Sequence, residues 1–251
     1  MPMGMTTEVS DGIAEVVMDN PPVNAVTVAG WYELAEQITA AGRRQDVGAV
    51  ILRAEGRGFN AGVDIKEMQA TEGFDALVGA NRGCHAAFKA IYECEVPVVS
   101  AVNGYCLGSG IGLVGVSDVI VAADDATFAI PEIDRGALGV ATHLTRLVPI
   151  LKARAMYFSG STATADELER FGSVWKVVPL AQLRDAAREV ASSIAAKDTR
   201  VMRMAKEAFN GIDLWDVNRS YRYEQGFTFE LNLLGVSDEH RDRFVEKGAR
   251  G

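Results

Sequence analysis

The sequence predicts an α/β fold in which strand, glycine-rich turn and helix follow one another repeatedly, ending in a helical C-terminal region. Three observations carry that prediction. The stretch from Pro97 to Glu132 opens on an apolar, β-branched run, Pro97 to Val102, which suits a buried pleated surface. Gly104, Gly108, Gly110 and Gly112 then remove Cβ atoms where this strand must turn into a helix, leaving backbone N–H groups bare at the helix start, a device that holds negative charge. A second unit of the same plan runs from Val47 to Arg53, through Gly56-Arg57-Gly58-Phe59-Asn60-Ala61-Gly62, into Val63-Asp64-Ile65-Lys66-Glu67-Met68. Beyond Glu132 strand signals thin out and helical spacing takes over. Residues 1–197 therefore read as the core, and 198–251 as a helical region that packs on the core or on a neighbouring subunit.

Taken in order, Gly12 to Met18 alternates as a strand and stops at the turn-forming Asp19-Asn20-Pro21-Pro22. Val28, Trp31, Leu34, Ala35 and Ile38 recur with the spacing of an amphipathic helix, for which Gly42 is the expected C-cap. After the second-unit strand and its glycine loop, a helix spans about 76–93, with Leu77, Ala80, Cys84, Ala87, Phe88 and Ile91 inward. Val119 to Ala123 is a further strand. Leu144 to Leu151 and Ala153 to Phe158 read as short helices. Thr164 and Glu167 form a capping box ahead of another helix. Val174 to Val178 is a last short strand, and Leu183–Ala196, Thr199–Phe209 and Leu214–Leu234 read as helices.

Composition excludes several function classes. A net charge of −9 and a pI near 4.9 leave no basic stripe for nucleic acid. Cys84, Cys94 and Cys106 have neither CxxC nor paired spacing, so no disulfide framework and no metal site is expected. The N-terminus lacks the charged and apolar regions of a signal peptide, and the expected compartment is the reducing cytoplasm. The apolar segment containing Gly108 and Gly112 also has GxxxG spacing. Pro97, Asn103, Ser109, Ser117 and Asp118 within it favour a buried strand, turn and helix over a membrane span.

The chemistry concentrates at the end of the central stretch, where Phe128-Ala129-Ile130-Pro131-Glu132 delivers a carboxylate just past a proline. Gly110-Ile111-Gly112-Leu113-Val114-Gly115 also fits the dinucleotide fingerprint GxGxxG, with Glu132 downstream as a ribose acid. That fingerprint belongs in the first strand-to-helix turn, and here it follows several elements. No histidine is placed by sequence to activate Ser109 as a nucleophile, so its amide is the more useful part. Asp64, at a helix start, reads as an N-cap. His143 stands near Glu132 in sequence and is a candidate to share proton work, although a locally satisfied histidine accounts for it equally well. His85 and His240 read as structural or solvated.

Phe59-Asn60-Ala61-Gly62-Val63-Asp64-Ile65-Lys66-Glu67-Met68, Val102-Asn103-Gly104-Tyr105-Cys106-Leu107-Gly108-Ser109-Gly110 and Pro131-Glu132-Ile133 resemble, in order, the signature blocks of the enoyl-CoA hydratase/isomerase (crotonase) family. The resemblance covers nearly the whole chain. It implies a spiral of ββα units and a C-terminal helical region that builds homotrimers or hexamers. It implies an acyl-CoA substrate, with coenzyme A entering as part of the thioester, and no resident cofactor is expected beside it. Charge, cysteine spacing and the polar residues within the apolar segment leave no metal, nucleic acid or membrane expected either. It places an oxyanion hole at the N–H groups of Ala61 and Ser109 and a catalytic carboxylate at Glu132. Substrate contacts are implied at Ala61, Gly62, Val63, Asp64, Ile65, Gly108, Ser109 and Gly112, with Lys66 and Arg57 as candidates for the CoA phosphates.

One departure decides more than the match. Hydratases of this family resemble one another in using two glutamates, and the position of the first falls here on Gly112, which carries no proton and is expected to widen the pocket. Losing one acid–base group removes typically ~10²- to ~10⁴-fold in rate, which disfavours hydration. Glu55 to Asp64, Gly110 to Gly115, and Glu224-Gln225-Gly226-Phe227-Thr228-Phe229-Glu230-Leu231-Asn232 resemble more closely the crotonase-type hydrolases of actinobacterial steroid breakdown, which open a ring of a bicyclic dioxo-indene-carboxyl-CoA. Enoyl-CoA hydratase or isomerase chemistry of fatty-acid oxidation, and a non-catalytic acyl-CoA binder, are the alternatives.

Overall fold

The computed structural model describes residues 4–214 and 216–248. The expected helix over 214–234 includes Trp215, and the expected C-terminal region includes 249–251; these residues lie outside the described ones. The chain opens with an antiparallel hairpin of β1 (Gly4–Ser10) and β2 (Ile13–Asp19), followed by α1 (Val28–Arg43), β3 (Ala49–Ala54), α2 (Ile65–Ala70) and α3 (Asp75–Tyr92). The central unit is β4 (Val98–Val102), β5 (Tyr105–Leu107) and α4 (Ser109–Val114); β6 (Val119–Ala123), β7 (Thr127–Ala129) and a 3₁₀ turn, Pro131–Arg135, come next. Then follow α5 (Ala141–Leu147), α6 (Ile150–Ser159), β8 (Ala163–Thr164), α7 (Ala165–Phe171), β9 (Lys176–Val178), α8 (Leu183–Ala195), α9 (Thr199–Ile212), α10 (Val217–Leu233) and α11 (Val236–Gly248).

Two sheets organise these elements. The larger has the order β1-β2-β3-β4-β6-β9, parallel from β2 onward, and the smaller has the order β5-β7-β8. Isolated parallel bridges Val26 to Val63 and Asn60 to Cys106 continue the small-sheet side toward the N-terminus. Each turn of chain thus gives one strand to the large sheet, a short extended piece to the small side, and then a helix. That succession is the expected spiral of ββα units. A buried parallel sheet reads as near-continuous apolar sequence, and β4 is buried at all five positions.

The structure corrects several expected boundaries. Strand β1 was not expected, because its polar residues face outward from a sheet edge. Gly42 is inside α1 rather than its C-cap: a Cβ there would stand 2.6 Å from Cys94 Sγ, so close helix packing requires the glycine. Helices α5 and α6 each begin three residues earlier than expected. The polar segment around Asp238 is helical in α11. The capping box at Thr164 and Glu167 forms as expected. Tyr221 of α10 joins the main hydrophobic cluster with Trp31 and Phe88, so the C-terminal region packs on its own core. Among the described residues no helix is long and apolar enough to cross a membrane.

Candidate active site

The first glycine loop is tied down by Asn60. Its Nδ2 donates to Asn24 O at 2.7 Å, and its Oδ1 accepts from Gly62 N at 2.9 Å. Ala61 lies between those contacts. The second loop ends at Gly108, whose φ of 55° lies in the left-handed region, and Ser109 begins α4. As the first residue of a helix, Ser109 has no intrahelical acceptor for its N–H. Among the described residues, neither the Ala61 nor the Ser109 amide donates to a backbone acceptor outside regular structure. A Cβ on Gly62 would stand 3.7 Å from Ser109 N, so the two loops meet.

Glu132 enters from the 3₁₀ turn that Pro131 begins. Two glycines seat it: a Cβ on Gly108 would stand 1.8 Å from Glu132 Oε1, and one on Gly139 would stand 2.8 Å from Glu132 Cγ. The residue is partly exposed as a whole, but Oε2 is buried and has no hydrogen-bond partner. Burial pushes its pKa up to about 7, against the opposing pull of a backbone hydrogen bond and the Arg135 charge. A carboxyl poised there exchanges a proton readily near neutrality.

Ala61, Gly62, Val63, Ile65, Ser109 and Glu132 all line one cavity of about 120 Å³. Helix α3 closes it with Leu77, Ala80, Asn81 and Cys84, and α10 and α11 contribute Tyr221, Thr228, Asn232 and Arg241. Cys84 is not a nucleophile here: its Sγ lies 3.5 Å from Ser109 Oγ, and burial pushes the thiol up to about 12.

Three expected site residues stand elsewhere, and a fourth, Gly108, adjoins the site without lining the cavity. Asp64 caps α2, accepting from Lys66 N at 2.8 Å and Glu67 N at 3.3 Å, and does not line the cavity. Gly108 acts through its missing Cβ, as the seat of Glu132. Gly112 does not widen the pocket: a Cβ there would stand 2.1 Å from Phe88 Cζ, so an aromatic ring already occupies that space. His143 is fully buried between Phe88 and Tyr221, at ring distances of 4.8 and 5.0 Å, and both its nitrogens lack partners. Burial, then Arg146 and His85, push its pKa down to about 3. Neutral and outside the cavity wall, it is not brought together with Glu132. Lys66 and Arg57 do not line the cavity either.

Sequence reasoning gave no site role to Glu224, Tyr157, Arg135 or Arg241. The first two reach the cavity wall from behind through backbone amides of 139–142, a contact between distant segments that leaves no local spacing signal. The two arginines line the cavity itself.

Fold and cavity together define an α/β spiral enzyme. The chain matches the family described as enoyl-CoA hydratase/isomerase over residues 8–249 and belongs to it. It is 65% identical over 247 residues to the (7aS)-7a-methyl-1,5-dioxo-2,3,5,6,7,7a-hexahydro-1H-indene-carboxyl-CoA hydrolase of Rhodococcus jostii strain RHA1, covering 98% of this chain and 96% of that one. Its identity to the Mycobacterium tuberculosis H37Rv protein of the same name is 64%, covering 98% of this chain and all of the other. Among solved structures, an enoyl-CoA hydratase/isomerase from Xanthobacter autotrophicus Py2 superposes with a TM-score of 0.88 at 26% identity, covering 98% of this chain and 93% of that one.

Proposed function

We propose that this enzyme hydrolyses a carbon–carbon bond of a bicyclic, steroid-derived dioxo-indene-carboxyl-CoA thioester, opening one ring. The observation that carries this reading is the single glutamate, Glu132, in a cavity whose other proton-bearing position in hydratases is Gly112, closed by Phe88. In the proposed reaction Glu132 takes a proton from water as the water oxygen bonds to a ring ketone carbon. The tetrahedral adduct collapses to a carboxylic acid, the bond from that carbon to the ring breaks, and its electron pair passes into the thioester-conjugated system. The N–H groups of Ala61 and Ser109 hold the resulting oxyanion, and a proton returned to carbon completes the addition of one water. Removal of one such donor costs roughly 2.7–4 kcal/mol of transition-state stabilisation. Coenzyme A takes part as a portion of the substrate, and the scheme asks for no further cofactor.

The identity to two hydrolases of that name supports the substrate class. We assign the activity to the reducing cytoplasm, where Cys84, Cys94 and Cys106 stay free thiols, and treat 1–197 as the catalytic spiral and 198–251 as the assembly region. Helix α9 supports a homotrimer or a hexamer: Val201, Met204, Phe209 and Ile212 fall within one face and are 57–72% exposed. The reading is tested by product mass after incubation with the bicyclic thioester and, separately, with crotonyl-CoA. Gain of one water with a new carboxylate on the first, and no change in the second, is expected; rapid hydration of crotonyl-CoA would contradict it. Glu132→Gln is expected to lower turnover by ~10²- to ~10⁴-fold.

A further inference from the structure

One carboxylate of the C-terminal region reaches the cavity wall from behind. Glu224, on α10, accepts at Oε1 from Ala141 N (3.1 Å) and at Oε2 from Thr142 N (2.9 Å) and Thr142 Oγ1 (3.1 Å). Ser220, one turn earlier, makes a 2.7 Å hydrogen bond with Thr142 Oγ1. Ala141 and Thr142 begin α5, and Val140 ahead of them supplies no side-chain cap. Val140 stands at φ 34°, ψ 33°, a left-handed conformation that β-branched residues rarely adopt. It is nevertheless buried and lines the cavity. Gly139, just before it, packs on Glu132 and donates its N–H to Tyr157 Oη at 3.1 Å. The wall at Val140 therefore has a conformation that this residue does not favour, and Glu224 holds the helix start that follows it.

We propose that Glu224 is a positioning residue that clamps the strained Val140 turn, so fixing the wall against Glu132. The proposal rests on the assignment of Glu132 as the base of the ring-opening reaction. Burial pushes both carboxyls up to about 7. Three donors converge on Glu224, whereas Glu132 Oε2 has none, so Glu224 is anchored to the wall while Glu132 stays available to substrate. The charge of Glu132 is among the causes that raise Glu224. Burial raises the other groups facing the pair, Cys84 from α3, Tyr157 from α6 and Tyr221 from α10, far enough that they stay neutral. Arg135, on the 3₁₀ turn of Glu132, is the opposing charge.

The test is Glu224→Gln, read as a split between kcat and KM. Its single carbonyl oxygen replaces two acceptors, and the negative charge is gone. The kcat is expected to fall roughly 10-fold to 100-fold, and KM to stay near wild type. A wild-type kcat would overturn the proposal. Should Glu224→Gln not fold, Thr142→Val decides: reduced kcat at unchanged KM supports the clamp, and wild-type kcat contradicts it. Should the wild type itself fail to open the ring, the ring-opening reading falls and hydrogen exchange decides the clamp. Faster exchange at the Ala141 and Thr142 amides in Glu224→Gln supports it, and equal protection overturns it.

Discussion

Glu132 concentrates the residue-scale physics, because its carboxyl is held in low dielectric with one oxygen unpartnered. A base with a pKa near 7 is protonated in acid, so kcat/KM should fall tenfold per unit below about pH 7. Stability runs the other way. The folded pKa is raised from 4.5, so between that value and about 7 the native state binds more protons than the unfolded chain. This group's contribution to stability is therefore full below 4.5 and is lost as pH rises from there through about 7, by on the order of 3 kcal/mol. Denaturant unfolding at pH 5 and 8 should show that loss in the wild type and a smaller one in Glu132→Gln; equal slopes would contradict the assigned burial. At this scale the two glycine turns and the Pro-Glu step were legible locally, and the family resemblance pointed within them to Ala61, Ser109 and Glu132, which the fold brings to one cavity. Glu224 was not, because a carboxylate that caps another helix looks like any polar residue on its own.

Packing of α4 on α3 explains the misread glycine at the scale of elements. An absent side chain signals space only when nothing else fills it, and at Gly112 the Phe88 ring does. Gly112→Ala should therefore overpack the contact and cost about 1–3 kcal/mol, seen as a lower unfolding midpoint. A midpoint equal to wild type would show that the ring yields freely. Long amphipathic helices such as α1 and α3 were readable from spacing. The short strands β5, β7 and β8 were not, being two or three residues whose extended form depends on the spiral around them.

At the scale of the whole molecule, the spiral places both amide loops and the 3₁₀ turn at one cavity, and α10 and α11 close it. Helix α9 meanwhile directs apolar side chains away from its own core, the only buried one of its residues being Lys206, paired with Asp118 at 2.6 Å. Sedimentation should give a trimer or a hexamer, and Met204→Glu combined with Phe209→Glu should reduce it to monomers; a monomeric wild type would contradict the assembly. The repeated strand, turn and helix pattern made the class of fold legible, whereas closure of the cavity by the C-terminal helices depends on contacts no segment displays alone. In the proposed reaction water attacks a ring ketone and a carbon–carbon bond breaks. Turnover of the bicyclic thioester in heavy-oxygen water follows that oxygen: one labelled oxygen in a newly formed carboxylate, with the CoA thioester intact, is the predicted product. Label in a hydroxyl group, or in free acid released from CoA, would contradict it.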